Sequence, residues 1–177
     1  MKTKIILWGI LKRISLGLMI LISVYFFIGA PMIISGLSMQ PNLDDREFAW
    51  INKFDSFIRP PKRGEIVVFR FPGTRKDLYV KRVIGLPKET VEIKNNKIYI
   101  NSKLLSEIYL QEDTPNFNFS QITLGENEFF VLGDNRDASN DSRIWGPLSK
   151  KYIIGKLSFV FWPYFRKRIL FTPQFNI

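Results

Sequence analysis

A long run of apolar residues near the N-terminus is the first feature of the hydrophobic pattern. Residues 14–34 carry no charged side chain, and the first acidic residue is Asp44. A helix of this length is about 31 Å long, close to the hydrocarbon thickness of a bilayer, and Pro31 is expected to end or kink it. The pattern predicts one transmembrane anchor at residues 14–34, behind a short basic segment at residues 1–13.

A cleavable signal peptide is the main alternative for this segment. The apolar core of such a peptide normally runs for only about 7–15 residues before a small-x-small site, and Gly29-Ala30-Pro31 is a poor site of that kind. The length of the run therefore favours an uncleaved anchor. Basic residues on its N-terminal flank predict that this end is cytoplasmic and that residues 35–177 lie on the outer side. These basic residues are Lys2, Lys4, Lys12 and Arg13.

Beyond Leu43 the pattern changes to short runs rich in Val, Ile, Phe and Tyr, separated by Gly, Pro and Asn. Such runs are typical of strands. The segment from Lys94 to Lys97 predicts a hairpin turn, because its two central Asn residues tolerate positive φ. The sequence thus predicts a mostly β fold, an antiparallel sandwich or barrel-like domain at residues 35–177. The predicted strands are Phe48–Ile51, Glu65–Arg70, Leu78–Ile84, Thr90–Lys94, Lys97–Ile100, Glu128–Leu132 and Ile153–Phe161.

Two residue types are absent, and their absence restricts the chemistry. The chain contains neither Cys nor His, which excludes disulfides, thiolate metal sites, Ser-His-Asp triads and His-ligated metals. Acid–base chemistry near neutral pH must then use Lys, Asp, Glu or Tyr with a shifted pKa, and no cofactor or metal is expected. The formal charge of +10 suits nucleic acid or an anionic membrane. The apolar segment favours a lipid bilayer and no nucleic acid.

Ser38 is the first candidate for chemistry. It lies in the turn-forming stretch Ser35–Leu43, where the apolar segment ends. A Ser in a tight turn exposes its hydroxyl group and its own backbone N–H, and amide hydrolysis needs an oxygen nucleophile and N–H groups aimed at the developing oxyanion. Gly36 would let the backbone approach a substrate closely. From this stretch alone, a Ser that only satisfies backbone groups at a helix end is the alternative.

Lys81 is the candidate base. In the predicted strand Leu78–Ile84, alternation puts Lys81 on the same face as Tyr79 and Val83, with Arg82 on the opposite face. A lysine between apolar neighbours loses hydration, and its pKa falls from ~10.4 toward ~7–8, where it can act as a base. Alternation alone leaves open a surface lysine beside a surface arginine.

A stretch rich in charged and polar residues follows the predicted strand Glu128–Leu132. Residues 133–143 contain three carboxylates, two guanidinium groups and two hydroxyl groups. Arg–Asp pairs of this kind are rigid and bidentate, which suits an active-site scaffold better than a reacting group. A calcium loop is excluded, because Ser142 occupies the position of the required Gly and Leu148 that of the final Glu. A plain solvated loop is the alternative.

These three stretches, in this order behind an N-terminal anchor, resemble the bacterial type I signal (leader) peptidase family of Ser-Lys proteases. Residues 38–43 (Ser-Met-Gln-Pro-Asn-Leu) resemble its nucleophile box, and residues 79–87 resemble its general-base box. Residues 133–143, followed by Trp145-Gly146, are similar to its longest box. The resemblance implies a mostly antiparallel β fold, in agreement with the strand pattern.

The resemblance also implies roles for individual residues. Ser38 would be the acylated nucleophile and Lys81 the general base, with Ser139 hydrogen-bonded to the lysine ammonium group. Met39 would pack next to the nucleophile. Some members carry a Ser hydroxyl for the oxyanion at the position of Gly36, so here the oxyanion hole would use mainly backbone N–H groups, chiefly that of Ser38.

Supporting and substrate-binding residues complete the expected site. By the resemblance, Asp134, Asp141 and Arg143 would hold the shape of the third stretch. Adjacency alone suggests that the walls of the substrate pocket include Ile33, Ile34 and Leu132.

The function implied is that of a membrane-anchored serine endopeptidase, which removes signal peptides from exported pre-proteins through an acyl-enzyme. Its expected partners are these pre-proteins and the lipid bilayer. Its expected location is the bacterial plasma membrane, with a single span, a cytoplasmic N-terminus and the catalytic domain on the outer face. One alternative is a Ser-Lys self-cleaving protease of the repressor type, which should be soluble with a DNA-binding head. Another is a catalytically inactive membrane-anchored β domain that binds exported chains.

Overall fold

The computed structural model describes residues 2–23, 25, 28–71, 77–110 and 117–175. Three helices are present in these ranges, α1 (Lys2–Ser23), α2 (Lys53–Ile58) and α3 (Ser142–Trp145). Tyr25 and Ile28 are π-helical, and all other regular elements described from Gly29 onward are strands or single 3₁₀ turns, which confirms the predicted mostly β fold. The strands are β1 (Gly29–Ile33), β2 (Phe48–Asn52), β3 (Ile66–Arg70), β4 (Leu78–Gly85), β5 (Thr90–Lys94), β6 (Lys97–Ile100), β7 (Lys103–Leu104), β8 (Phe119–Thr123), β9 (Glu128–Leu132), β10 (Leu148–Ser149), β11 (Ile153–Trp162) and β12 (Arg168–Ile169).

Helix α1 ends earlier than the sequence predicts. The predicted anchor covers residues 14–34, whereas α1 ends at Ser23 and Gly29–Ile33 forms β1. Apolar composition does not distinguish a helix from a strand, and Pro31 is tolerated in β1 because this is an edge strand that can lack one N–H donor. The β domain therefore begins with β1 and not at residue 35. In the described part of the chain, Ile6–Ser23 is the one helical stretch long and apolar enough to cross a membrane, with a mean hydropathy of 1.8.

The strands form two antiparallel sheets. The larger sheet has the order β1-β2-β11-β3-β4-β9-β10, with β12 beside β11, and the smaller has the order β7-β6-β5-β8. Strand β11 is bulged against both β2 and β3, and bulges increase local twist and bend the sheet. The hairpin predicted at Lys94–Lys97 is present between β5 and β6, where Asn95 and Asn96 have φ of 48° and 64°.

Three clusters of buried apolar residues hold the sheets together. The first joins the segment after β1 to β2, β3 and β11, and includes Met39 and Leu43. The second joins β4 and β9 of the larger sheet to the smaller sheet. The third covers the other face of β3, β4 and β9, and includes Val67 and Val83. Strand β4 thus has apolar packing on both faces, which determines the surroundings of Lys81.

Candidate active site

Ser38 lies in the connection between β1 and β2, within a tight turn. The Gln40 amide donates to the Leu37 carbonyl at 3.1 Å. The Leu43 amide donates to the Met39 carbonyl at 2.8 Å. Because Met39 and Leu43 are buried in the first cluster, the turn is fixed to the sheet, and Met39 lies beside Ser38 in the core.

Gly36 precedes Ser38 and has φ of +95°, in the left-handed region that favours glycine. Its N–H donates to Asp45 Oδ1 at 2.8 Å. A Cβ added at Gly36 would meet no atom within 4 Å. The backbone conformation therefore accounts for this glycine, and the space in front of it stays open toward Ser38.

Lys81 is buried in the centre of β4, with only 3% of its surface exposed. Val67 lies opposite it on β3, and Tyr79 and Val83 lie on the same face and belong to the third cluster or pack against it. Lys81 Nζ donates a hydrogen bond of 2.8 Å to Ser38 Oγ. The structure thus brings together the two residues that the sequence placed 43 positions apart, and Lys81 is not a surface lysine.

The charge state of Lys81 is shifted by its surroundings. Burial lowers the pKa of the Lys81 amine to about 8, because the charged form loses hydration. The carboxylates of Asp141 and Asp134 favour the charged form and raise this pKa, whereas the Arg143 guanidinium lowers it. A substantial fraction of Lys81 is therefore neutral slightly above neutral pH, as a general base requires.

Residues 133–143 form a loop closed by their own side chains. Arg143 binds Asp141 through two hydrogen bonds of 2.8 and 2.9 Å. Asp141 caps α3 and accepts the Gly133 amide at 3.0 Å. Arg143 also donates to the Arg136 carbonyl at 2.7 Å. The loop contacts the turn of Ser38 directly, because the Asn135 amide donates to the Ser38 carbonyl at 3.1 Å.

Asp134 pairs with an arginine that the sequence did not indicate as part of the site. Arg82 Nε and Nη2 donate to the two oxygens of Asp134 at 2.8 and 2.6 Å, and both side chains are buried. Asn42 Nδ2 donates to Asp134 Oδ2 as well, at 3.0 Å. Arg82 follows Lys81 in the chain, and Asn42 lies in the turn of Ser38. The Asp134 carboxylate therefore binds one residue adjacent to Lys81 and one residue of the Ser38 turn. A signal was present in the sequence, because an arginine between Val80 and Ile84 on a two-sided apolar strand needs a buried partner.

Ser139 lies near Ser38, but its predicted hydrogen bond to Lys81 is not formed. Ser139 Oγ is buried and has no hydrogen-bond partner among the residues that the structure describes. The side chain packs against Gly133, where an added Cβ would lie 2.2 Å from Ser139 Oγ and 2.5 Å from the Ser38 carbonyl oxygen. Glycine at position 133 therefore allows the loop to lie close to the turn of Ser38.

A groove of about 650 Å³ leads to Ser38 and Lys81. It is lined by residues 32–39 at the end of β1 and in the turn of Ser38, by residues 77–81 at the start of β4, and by Ala138 and Asn140. Ile33 and Ile34 line it, as adjacency suggested. Leu132 does not, because it pairs with Arg82 across the sheet and is fully buried in the second cluster.

The groove is lined by parts of β1 and β4 that each pair with one neighbouring strand in the described part of the chain. In the described ranges β1 pairs with β2 alone. The first half of β4 pairs with β3 alone, since β9 joins β4 only from Arg82 onward. Within the same ranges, no group of three or more His, Cys, Asp or Glu side chains is arranged to hold a metal ion. The free edges of β1 and β4 suit the groove to an extended peptide, which can pair with either edge.

Comparison with known proteins identifies the family. Residues 7–162 match the family described as signal peptidase, peptidase S26. The chain is 36% identical to signal peptidase IB of Staphylococcus aureus (strain MRSA252) over 191 aligned residues, which cover 98% of each chain. The chain belongs to the signal peptidase family, peptidase S26.

Two further relatives of this signal peptidase family are similar to the chain. Signal peptidase I of Bacillus amyloliquefaciens is 37% identical over 173 residues, covering 92% of this chain and 91% of the relative. A crystal structure of a signal peptidase I from Enterococcus faecalis V583 has 35% identity and a TM-score of 0.49, covering 56% of this chain and 98% of that chain. As a family member, the chain is a serine hydrolase of the signal peptidase I type that removes signal peptides from secreted pre-proteins. This assignment replaces the alternative of a self-cleaving repressor.

Proposed function

We propose that Ser38 and Lys81 form the catalytic dyad of a membrane-anchored signal peptidase. The observation that supports this most directly is the 2.8 Å hydrogen bond between Lys81 Nζ and Ser38 Oγ. Few lysines are buried in this way without a carboxylate in contact, and a buried amine next to a serine hydroxyl has the geometry of a general base and its nucleophile.

Acylation follows from this geometry. Neutral Lys81 Nζ takes the proton of Ser38 Oγ as the oxygen attacks the carbonyl carbon of the scissile bond. The carbonyl oxygen becomes an oxyanion, for which the backbone N–H of Ser38 is the nearest candidate donor. The C–N bond then breaks, and Lys81 gives its proton to the leaving amine. The products of this step are the free mature chain and an ester between the signal peptide and Ser38.

Deacylation uses the same groups in the same order. Neutral Lys81 takes a proton from a water molecule, and the resulting hydroxide attacks the ester carbonyl. The ester bond breaks and Lys81 returns its proton to Ser38 Oγ. The signal peptide leaves with a new carboxylate, and the enzyme is restored. The role proposed for Asp134, Asp141 and Arg143 is to hold the loop against the turn of Ser38, and Ser139 contributes to its packing.

The substrate is proposed to bind as an extended strand in the groove. The free edges of β1 and β4 offer it unpaired backbone N–H and C=O groups. Ile33, Ile34, Leu78 and Tyr79 contribute apolar lining to the groove. The family resemblance implies small side chains at the first and third positions before the scissile bond.

The pH dependence of cleavage tests the role of Lys81. Since only neutral Lys81 can accept the proton, kcat/KM for a model pre-protein should rise about tenfold per pH unit below pH 8. It should level off above the Lys81 pKa of about 8. The measurement is cleavage by the full-length chain in detergent from pH 6 to pH 10. A profile that is flat between pH 6 and 8, or that rises only near pH 10, would remove Lys81 as the base.

Membrane anchoring is proposed from two surfaces. Helix α1 exposes apolar side chains between Ile6 and Ile22. The outer face of β2 and β11 carries a half-exposed cluster in which Trp50 stacks on Phe159 at 6.2 Å. Trp162 at the end of β11 and Phe165 after it are exposed, and Phe57 is exposed on α2. Aromatic rings favour the headgroup region of a bilayer, so this face is proposed to rest on the membrane from which α1 emerges.

Extraction and protease accessibility test the anchoring and its orientation. The full-length chain should stay in the membrane pellet after alkaline carbonate extraction of bacterial cells, whereas a variant without residues 2–23 should be released. In intact spheroplasts, added protease should remove a C-terminal tag and spare an N-terminal one. Recovery of the full-length chain in the soluble fraction would contradict the anchor, and the reverse tag pattern would contradict the orientation.

A further inference from the structure

The basic segment at residues 166–168 turns inward in the structure. By composition it would be a tail for anionic headgroups, yet Arg168 on β12 forms a bidentate pair with Glu47, at 2.8 and 2.7 Å. Glu47 is 1% exposed. Arg166 also pairs with two acidic residues of the connection between β1 and β2, with Asp44 and, at 3.8 Å, with Glu47. Two of the three basic residues, Arg166 and Arg168, are therefore paired with acidic side chains of the same domain.

Arg168 also contacts the turn that carries Ser38. Its Nη2 donates to the Asn42 carbonyl at 2.6 Å, and Asn42 lies four positions after Ser38. The side chain of Asn42 makes separate contacts, in which Nδ2 donates to Asp134 Oδ2 and to the Tyr109 carbonyl, both at 3.0 Å. The turn is thus held at one residue through both its backbone and its side chain.

Hydrogen bonds connect Asn42 back to Ser38 through Asp134, Arg82 and Lys81. Asp134 binds Asn42 on the nucleophile side and Arg82 on the base side. Arg82 is adjacent to Lys81, and Lys81 binds Ser38. Arg168 fixes this path from outside at Asn42. Its position is fixed in turn, because β12 pairs with β11 and the Leu170 amide donates to the Ser158 carbonyl at 3.0 Å.

We propose that Arg168 is a positioning residue for the nucleophile. It holds the Asn42 carbonyl and the Glu47 carboxylate so that Ser38 Oγ stays within hydrogen-bonding distance of Lys81. Arg168 is not among the described residues that line the groove, so it does not meet the substrate there. Its loss therefore affects the chemical step and leaves substrate binding unchanged. The proposal rests on the proposed Ser38–Lys81 dyad.

The test compares R168Q with R166Q in the full-length chain in detergent. Arg166 is the matched control, because it lies on the same segment and pairs with Asp44 and Glu47, as Arg168 pairs with Glu47, but it does not bind the Asn42 carbonyl. For R168Q we expect kcat to fall by about 10–100-fold with KM within twofold of wild type, since a misplacement of about 1 Å costs up to about 100-fold. R166Q should keep kcat within about threefold.

Two further measurements make the result decisive. Thermal unfolding of each variant sets an assay temperature at which all are folded, and R168K, which keeps the charge but not the fork, replaces R168Q if that variant does not fold. A kcat for R168Q, or for R168K in its place, equal to that of R166Q overturns the proposal, as does a rise in KM without a fall in kcat. S38A is assayed alongside: if it cleaves like wild type, the dyad itself is wrong, whatever Arg168 does.

Discussion

Replacing Ser38 with Ala is expected to lower cleavage of a model pre-protein by at least about 10³-fold, because Ser38 Oγ is the hydroxyl group that the Lys81 amine contacts in the described part of the chain. Lys81→Met should cause a loss of similar size. Methionine fits the apolar surroundings formed by Val67, Tyr79 and Val83, so the variant removes the base and leaves the packing. The measurement is turnover by the full-length chain in detergent at pH 9, with small residues at the first and third positions before the scissile bond.

Matched controls separate chemistry from folding in this experiment. Ser35→Ala removes a hydroxyl group that lines the same groove, and Lys97→Met removes an exposed lysine from β6. Both should cleave like wild type. If Lys81→Met also does so, Lys81 is not the base. A wild-type chain that binds the peptide but never cleaves it would instead favour the inactive β domain.

The largest expected effect on stability comes from Arg82. Arg82 and Asp134 form a bidentate pair in which the side chains are 3% and 1% exposed. Removing one partner leaves a buried charge without compensation, which costs about 3–5 kcal/mol. Arg82→Met should therefore lower the free energy of unfolding by about this amount, as measured by urea unfolding of the full-length chain in detergent with tryptophan fluorescence.

A double-mutant cycle checks the cause of this loss. Arg82→Met combined with Asp134→Leu removes both charges and should be less destabilised than Arg82→Met alone. Arg46→Met is the control, because Arg46 pairs with Asp45 at the surface with 91% of its side chain exposed, and such pairs contribute little. Additive losses in the cycle would show that the two side chains act independently, against the pairing seen here.

Local pattern accounts for the parts of the fold that the sequence predicted. All seven predicted strands are present within one or two residues of their expected ends, because each carries its own alternation or apolar run. The same alternation placed Lys81 beside Tyr79 and Val83. Most of the strands that the sequence did not predict are short and are recognised only by their pairing with a neighbouring strand. Strands β7, β10 and β12 have two residues each, too few to show a period.

Long-range pairing accounts for what the sequence did not predict. Arg82 and Asp134 are 52 positions apart, and Arg168 and Glu47 are 121 apart, so no local pattern connects them. Strand β1 was missed for a different reason, since its apolar residues continue the composition of the helix before it. The hydrogen bond expected at Ser139 depended on the exact placement of a loop, which a resemblance does not specify.

The short connection between α1 and β1 fixes the distance between the membrane segment and the groove. Gly29, the first residue of β1, follows the end of α1 by only six positions, and the five residues of β1 then extend about 16 Å to the groove. Under the proposed anchoring, Ser38 acts at a fixed height above the bilayer. A peptide bond is then selected by its distance from a membrane-inserted segment as much as by its neighbours. One groove with modest demands on sequence can therefore serve many different exported chains.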